Sequence, residues 1–346
     1  FLASYSFEPL VGEPHANSPT MFGLYLVDTN GNRELLYRDL AISSLWPIPI
    51  QSRLRPPPVG AEFVPSVSGG DTGTFLVQNI NRSSVALPDE RIAALRVVQL
   101  VPKSTSGANN PMVGLANASP GKQVLGTVPV SDDGSAYFEA PAGIPLAFQA
   151  LDSRGMAVQV MRSVTYLQPG QNLGCIGCHE DRTEAPPNLG LAATGREPAK
   201  LRPAPDGARP LSYPILVQPV LDRNCVSCHG ADEPAGGVRL TGEPEGAFSV
   251  SYNQLAPRVS FSAWTGAAGF EETNSEPLST PDFFGARGSA LWQLLEGGHY
   301  DVDLSAEDTE RLVTWMDTNA LFYGTFDPAD QARQQRGERI EGPAIE

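Results

Sequence analysis

The stretch Gln123–His179, QVLGTVPVSDDGSAYFEAPAGIPLAFQALDSRGMAVQVMRSVTYLQPGQNLGCIGCH, decides the fold class. Four strand-length runs, QVLGTVPV, SAYFEAPA, PLAFQALD and MAVQVMRSV, are separated by turn residues at Asp132–Gly134 and Asp152–Gly155. Short β-rich runs with Asp and Gly between them read as consecutive antiparallel strands. Upstream, TGTFLVQNI and IAALRVVQLV continue the pattern with no long helical run between them. The expectation is an antiparallel β-sandwich-like domain over residues 61–182. Asp132-Asp133-Gly134 reads as a turn, because the spacing of an EF-hand calcium loop is absent. The insert Lys103–Lys122 is a long polar loop of the kind kept for a site or an interface.

The stretch ends on CIGCH at 175–179, and CVSCH follows at 225–229. Together they use all four cysteines and two of the four histidines. Cys-x-x-Cys-His is the pattern of c-type heme attachment: two thiols reach the vinyl groups on one porphyrin edge, and the next histidine faces the iron. Two covalently attached heme c groups are therefore expected, through Cys175, Cys178 and His179 and through Cys225, Cys228 and His229. A cysteine/histidine zinc site or redox-active dithiols are the alternatives, but neither needs a histidine at the same offset in both pairs. Attachment chemistry of this kind takes place outside the cytoplasm, so periplasm or cell surface is the expected location.

The sixth ligand separates an electron carrier from a catalytic heme. His299 follows a helix expected to stop at Gly297–Gly298, and a second helix begins after Ser305, with Asp308 three residues on. That setting makes His299 the expected second ligand of the iron at His229; a loop histidine bonded to backbone is the plainer alternative. For the first iron only His15, in a polar loop, and Met112, in ANNPMVG, are candidates, or the position is open. Glu180, Asp181 and Arg182 read as solvated surface or as a proton relay.

The whole chain reads as mainly β with a small α-helical cytochrome c-like domain. Residues 1–60 hold a propeller-blade remnant, with the strands MFGLYLVD and RELLYRD joined by an Asn-Gly turn, and then a proline-rich traverse. Residues 61–182 carry the first heme, 183–212 form a linker, and 213–327 carry the second heme. Residues 328–346 form a polar, peripheral tail. The aromatics Phe248, Tyr252, Phe261, Trp264, Phe270, Phe283 and Phe284 either envelop a porphyrin or fill the core. The 34 glycines and 32 prolines favour strands and loops over a helical bundle. A net charge of −15 disfavours nucleic acid and anionic membranes. No run reaches the roughly 20 apolar residues of a membrane span. The opening FLASYSF has no initiator Met and no signal peptide, so the chain reads as a processed piece or part of a longer one.

Three stretches carry a resemblance to a known family. The run from Leu125 to Arg182 resembles the middle, heme-bearing domain of the hydrazine synthase alpha subunit. LVQPVLDRNCVSCHG and LLEGGHYDVDLSAEDTERLVTWMDTNALFYG resemble its C-terminal cytochrome domain, and FGLYLVDTNGNRELLYRD resembles the end of its N-terminal β-propeller. The resemblance implies an active-site heme in the middle domain and a two-histidine relay heme, here His229 and His299, in the last. It also implies a tyrosine ligand four residues after the first motif histidine. Thr183 stands there, so His179 becomes the proximal ligand, and the departure argues against hydrazine chemistry.

These readings converge on an extracytoplasmic diheme c-type cytochrome that transfers electrons, alone or within a larger redox complex. The alternative is a heme oxidoreductase with an open first heme acting on a small nitrogen compound or peroxide, fed by the second heme. A purely structural cytochrome assembly is the third possibility. The implied partners are a redox protein with a basic docking surface and, for an assembly, further copies of the chain.

Overall fold

The computed structural model describes residues 1–11, 17–52, 71–107, 109–179, 190–263 and 278–342. They fall into two compact units, Phe1–Gly60 and Ala61–Glu346. The first is a three-stranded antiparallel sheet in the order β1 (Leu2–Tyr5), β2 (Gly23–Val27), β3 (Arg33–Tyr37). Its β2–β3 turn is closed by the Asp28 carboxylate, which accepts from the Asn30 and Asn32 backbone amides at 2.8 and 2.9 Å. These strands are those expected from the Asn-Gly signal. They form one small sheet, and no closed propeller or barrel exists among the described residues.

In the second unit two sheets face each other. One has the order β10 (Asn172–Cys175), β4 (Thr72–Val77), β7 (Ala136–Pro141). The other has the order β6 (Gly121–Pro129), β5 (Ala94–Val101), β8 (Leu146–Leu151), β9 (Ala157–Val160). Phe75, Phe138 and Phe148 meet between them, with ring centroids 5.1–5.7 Å apart. Burying such rings and the Val and Leu around them is worth roughly 1.5–3 kcal/mol per side chain, which holds the sheets together. The antiparallel expectation fails at one place: β10 runs parallel to β4. Parallel pairing requires a long return of the chain, and strand-length runs do not encode it.

The helices are α1 (Tyr213–Leu216), α2 (Gln218–Asn224), α3 (Val250–Leu255), α4 (Gly285–Gly288), α5 (Ala290–Glu296), α6 (Ala306–Asp317) and α7 (Pro328–Gln335). Their core contains Tyr213, Phe248, Tyr252, Trp315 and Phe322, and it also includes Val98 of β5, Val124 of β6 and Met156. The helical part is thus not a distinct cytochrome domain, because it shares its core with the sheet. Phe248, Tyr252, Phe261 and Phe284 are core residues and Phe283 is exposed; Trp264 and Phe270 lie outside the described residues. A buried ion pair crosses the same junction, with Arg96 Nη1 of β5 donating to Asp317 Oδ2 of α6 at 2.8 Å.

Two further segments depart from expectation. The connection after residue 189 is strapped to the sheets through Ala199–Tyr137, Arg202–Thr127 and Leu211–Lys122 backbone bonds. The tail also packs. Gln331 and Gln334 of α7 are buried, bonding the carbonyls of Met112, Thr325 and Leu211, and Ile340 is 2% exposed. Their polarity suggested solvent, yet each amide finds backbone partners, which makes burial tolerable. No described helix is long and apolar enough to cross a membrane.

Candidate functional site

The first motif is an extension of the sheet edge. Cys175 ends β10 opposite Val77 of β4, and the ladder continues beyond the strand. Gln78 and Asn79 donate their amides to the Cys175 and Ile176 carbonyls at 2.9 and 3.1 Å. Cys178 donates to Arg82 at 2.8 Å, and Ser84 donates to the His179 carbonyl at 2.7 Å. Gly177 is needed here because a Cβ would overlap the Arg82 carbonyl. Cys175 and Cys178 are half-buried against the aromatic core of the two sheets. His179 is exposed, with Nδ1 3.3 Å from Ser84 Oγ.

The second motif is built on a helix end. Leu221 lies on α2, and its carbonyl accepts from both Cys225 and Val226. The amide of His229 then returns to the Cys225 carbonyl at 2.9 Å, closing a tight turn. Arg223 pairs with Asp308 of α6, and Asn224 Nδ2 donates to Asp308 Oδ2 at 3.1 Å. Burial pushes the Asp308 carboxyl up, but hydrogen bonds from Arg223 and Asn224, with the Arg223 charge, outweigh it and hold the group below the usual range. Burial, with smaller contributions from Asp308 and Cys228, pushes the Cys225 thiol up to about 11.

His299 arrives opposite this turn. Gly298, at φ +84°, breaks the chain away from α5, and Ser305 starts α6 by accepting from the Asp308 amide at 3.1 Å. The rings of His229 and His299 lie with centroids 5.9 Å apart and planes 16° from parallel. His229 Nδ1 is 2.9 Å from the Val238 carbonyl. Such a bond occupies Nδ1 with a proton and leaves Nε2 as the donor nitrogen, the usual way a ligating imidazole is oriented. The chemistry available to such a pair is donation of an imidazole nitrogen to a metal ion.

The expectation of two covalently attached heme c groups is corrected here. Among the described residues no group of three or more His, Cys, Asp or Glu side chains that could hold a metal ion is assembled. All four cysteines stand outside disulfides. The pentapeptide specifies a turn, and both turns form; it does not specify the rest of a donor set. At the first motif His179 Nδ1 faces Ser84 Oγ. Met112 is 46% exposed with its carbonyl bonded by Gln331 of α7. His15, Glu180, Asp181, Arg182 and Thr183 lie outside the described residues.

Sequence reasoning missed the groups that fix the histidines, namely the Val238 carbonyl and the Ser84 hydroxyl. It took Asp308 only as part of a helix start. The doubled polar pair Arg223-Asn224 before Cys225 was the available signal for a buried carboxylate nearby.

A family model described as the hydrazine synthase alpha subunit middle domain matches residues 90–180, which run from before β5 to just past the first motif. No curated protein matches. A solved structure titled Kuenenia stuttgartiensis hydrazine synthase is similar at 18% identity and a TM-score of 0.59. The similarity covers 94% of this chain and 53% of that one, so the chain spans about half the length of the chain it resembles. At that identity the likeness is one of fold. The chain thus has a hydrazine-synthase-alpha-like fold, with the family-model match confined to its β-sandwich part.

Proposed function

We propose that this chain is the redox portion of an extracytoplasmic oxidoreductase. In it His229 and His299 hold one iron centre as an electron relay, and the Cys175–His179 edge lies on the substrate side. The observation that carries the proposal is the pair of facing imidazoles, 5.9 Å apart and 16° from parallel. The iron would supply a one-electron change of oxidation state. The chain supplies what makes that change fast: two fixed ligands, one oriented by Val238, on a turn tied to α6 through Asp308. Little has to reorganise when the charge changes.

An enzyme is favoured over a pure carrier because the family match lies on the β-sandwich and ends at the first motif, away from the histidine pair. There the single histidine, His179, is exposed, as a position open to an external molecule requires. The relative's title names hydrazine synthesis, which makes a small nitrogen compound, or peroxide, the substrate class to examine first. The net charge of −15 suits docking to a basic redox partner, with association weakening as salt rises.

The test combines iron analysis with visible and EPR spectra of the whole protein. About one iron per chain, with an EPR signal that His299→Ala changes, is the expected result. Absence of iron, or a spectrum indifferent to His299→Ala, overturns it. Turnover of hydroxylamine, nitric oxide or hydrogen peroxide with an electron donor separates enzyme from carrier.

A further inference from the structure

Only three of the 24 basic residues are lysines: Lys103, Lys122 and Lys200. Lys122 stands on β6 opposite Leu100 of β5, on the helix-facing side of the four-stranded sheet. It borders a cavity of about 160 Å³ together with Ser119, Gln149, Arg162, Asp317 and Asn319. An apolar cavity of roughly that size holds a benzene-sized molecule; this one sets those polar groups among apolar ones such as Val98, Leu100, Phe148 and Met161.

Its polar atoms are unevenly satisfied. Lys122 Nζ donates to Ser119 Oγ at 3.0 Å, and Asn319 Nδ2 donates to the same oxygen at 3.0 Å. Both acceptor positions of that hydroxyl are filled, leaving its own proton to give. The Asp317 carboxylate is spent on Arg96 and on the Ala157 and Ala286 amides, at 2.8–3.0 Å. Among the described residues no carboxylate pairs with Lys122, whose amine has a hydroxyl as its partner. The wall is held against backbone preference: Asn319 and Ala320 sit at φ +78° and +49°, where non-glycine residues are rare. Such strain is retained where the surroundings demand one conformation.

We propose that this cavity binds a small anion, a carboxylate or an oxyanion, held by the Lys122 ammonium and the Ser119 hydroxyl with Arg162 on the same wall. Burial pushes the Lys122 amine down to about 7. The charged groups that border the cavity beside it are Arg162 and Asp317, the latter paired with Arg96. An entering anion supplies the missing counter-charge, so anion and proton bind together. Affinity should rise as pH falls through neutrality. A lysine performs this where an arginine would stay charged throughout.

The test begins with the unaltered full chain. Trace acetylation of each lysine is followed by mass spectrometry from neutral to alkaline pH, with formate, inorganic phosphate or matched chloride added. Lys122 should titrate near 7. Formate or phosphate should raise the Lys122 midpoint and slow its labelling about tenfold for every whole pH step the midpoint climbs, leaving Lys103 and Lys200 unchanged. Lys122→Arg should keep anion binding and lose its pH dependence. A Lys122 midpoint unmoved by both anions, or one shared with the other lysines, overturns the proposal.

Discussion

The two Cys-x-x-Cys-His turns share a sequence pattern and differ in everything that surrounds them. The first is zipped onto residues 77–84 as a prolongation of a sheet edge, and its histidine points its Nδ1 at a serine. The second hangs from a helix end, and its histidine faces another imidazole presented by a glycine-broken loop. A motif five residues long therefore fixes a local turn, while the rest of a site comes from long-range packing. The same pattern lies beside a second imidazole in one place and leaves an exposed single histidine in the other.

The sharpest way to break that contrast is to remove each histidine in turn. His229→Ala should abolish the iron-linked absorption, beyond the roughly 10–100-fold loss of affinity that outer-shell changes cause. His179→Ala should leave the signal assigned to the histidine pair in place. Equal losses from both variants, seen in metal content and EPR, would mean the two turns are equivalent after all.

The next effect concerns the junction that carries the second turn. Asp317 joins α6 to the sheet through Arg96, and its carboxylate also receives two backbone amides. Asp317→Ala strands the Arg96 charge in a site where its side chain is 3% exposed. Breaking one partner of such a pair costs about 3–5 kcal/mol. Chemical denaturation should show that loss, and the histidine pair should loosen with it. A loss under about 1 kcal/mol would mean water repairs the junction.

The two motif glycines give a smaller and more local comparison. At Gly177 a Cβ meets the Arg82 carbonyl, backbone that cannot rotate away. At Gly230, just past the second motif, it meets the Val226 carbonyl at 3.1 Å, a contact a slight shift relieves. Gly177→Ala should cost about 1–3 kcal/mol, and Gly230→Ala only a few tenths by comparison. Thermal melts of the pair check it; equal melting points would show that the first turn can leave the sheet edge freely.

Which parts of this were legible beforehand follows from range. The strands β2 to β9, the Asp132–Gly134 turn, the α5 stop and the Ser305 start depend on neighbouring residues, and the sequence displays them. The parallel β10–β4 pairing depends on segments about a hundred residues apart. The burial of Gln331 and Gln334 depends on carbonyls supplied by distant loops. The aromatics could be read either as envelope or as core; Phe248 and Tyr252 share one core with Val98 and Met156, while Phe283 is exposed. His299 was nameable as a candidate because histidines are scarce, but its ring's alignment with His229 is a product of the whole α5–α6 turn.

The smallest effect isolates the anchor of that turn. The Asp308 carboxylate accepts from Arg223 and Asn224, immediately before Cys225, while its backbone amide donates to Ser305 Oγ, the cap of α6. Its carboxyl is held below the ordinary value of 3.8 in the folded protein. A group depressed on folding stabilises fully above its unfolded value, and that contribution disappears as pH falls through the folded one. Asp308 should therefore add stability at neutral pH and lose it progressively below about pH 4. Arg223 is half exposed, with 53% of its side chain open to solvent, so screening limits the gain to about 1 kcal/mol or less. Asp308→Asn should lower the melting temperature by a degree or two at neutral pH and flatten its fall in acid, the two proteins converging at the lowest pH. Identical pH profiles would show that the Asp308 charge contributes nothing to holding the second turn. A larger loss for the variant in acid would reverse the assigned sign.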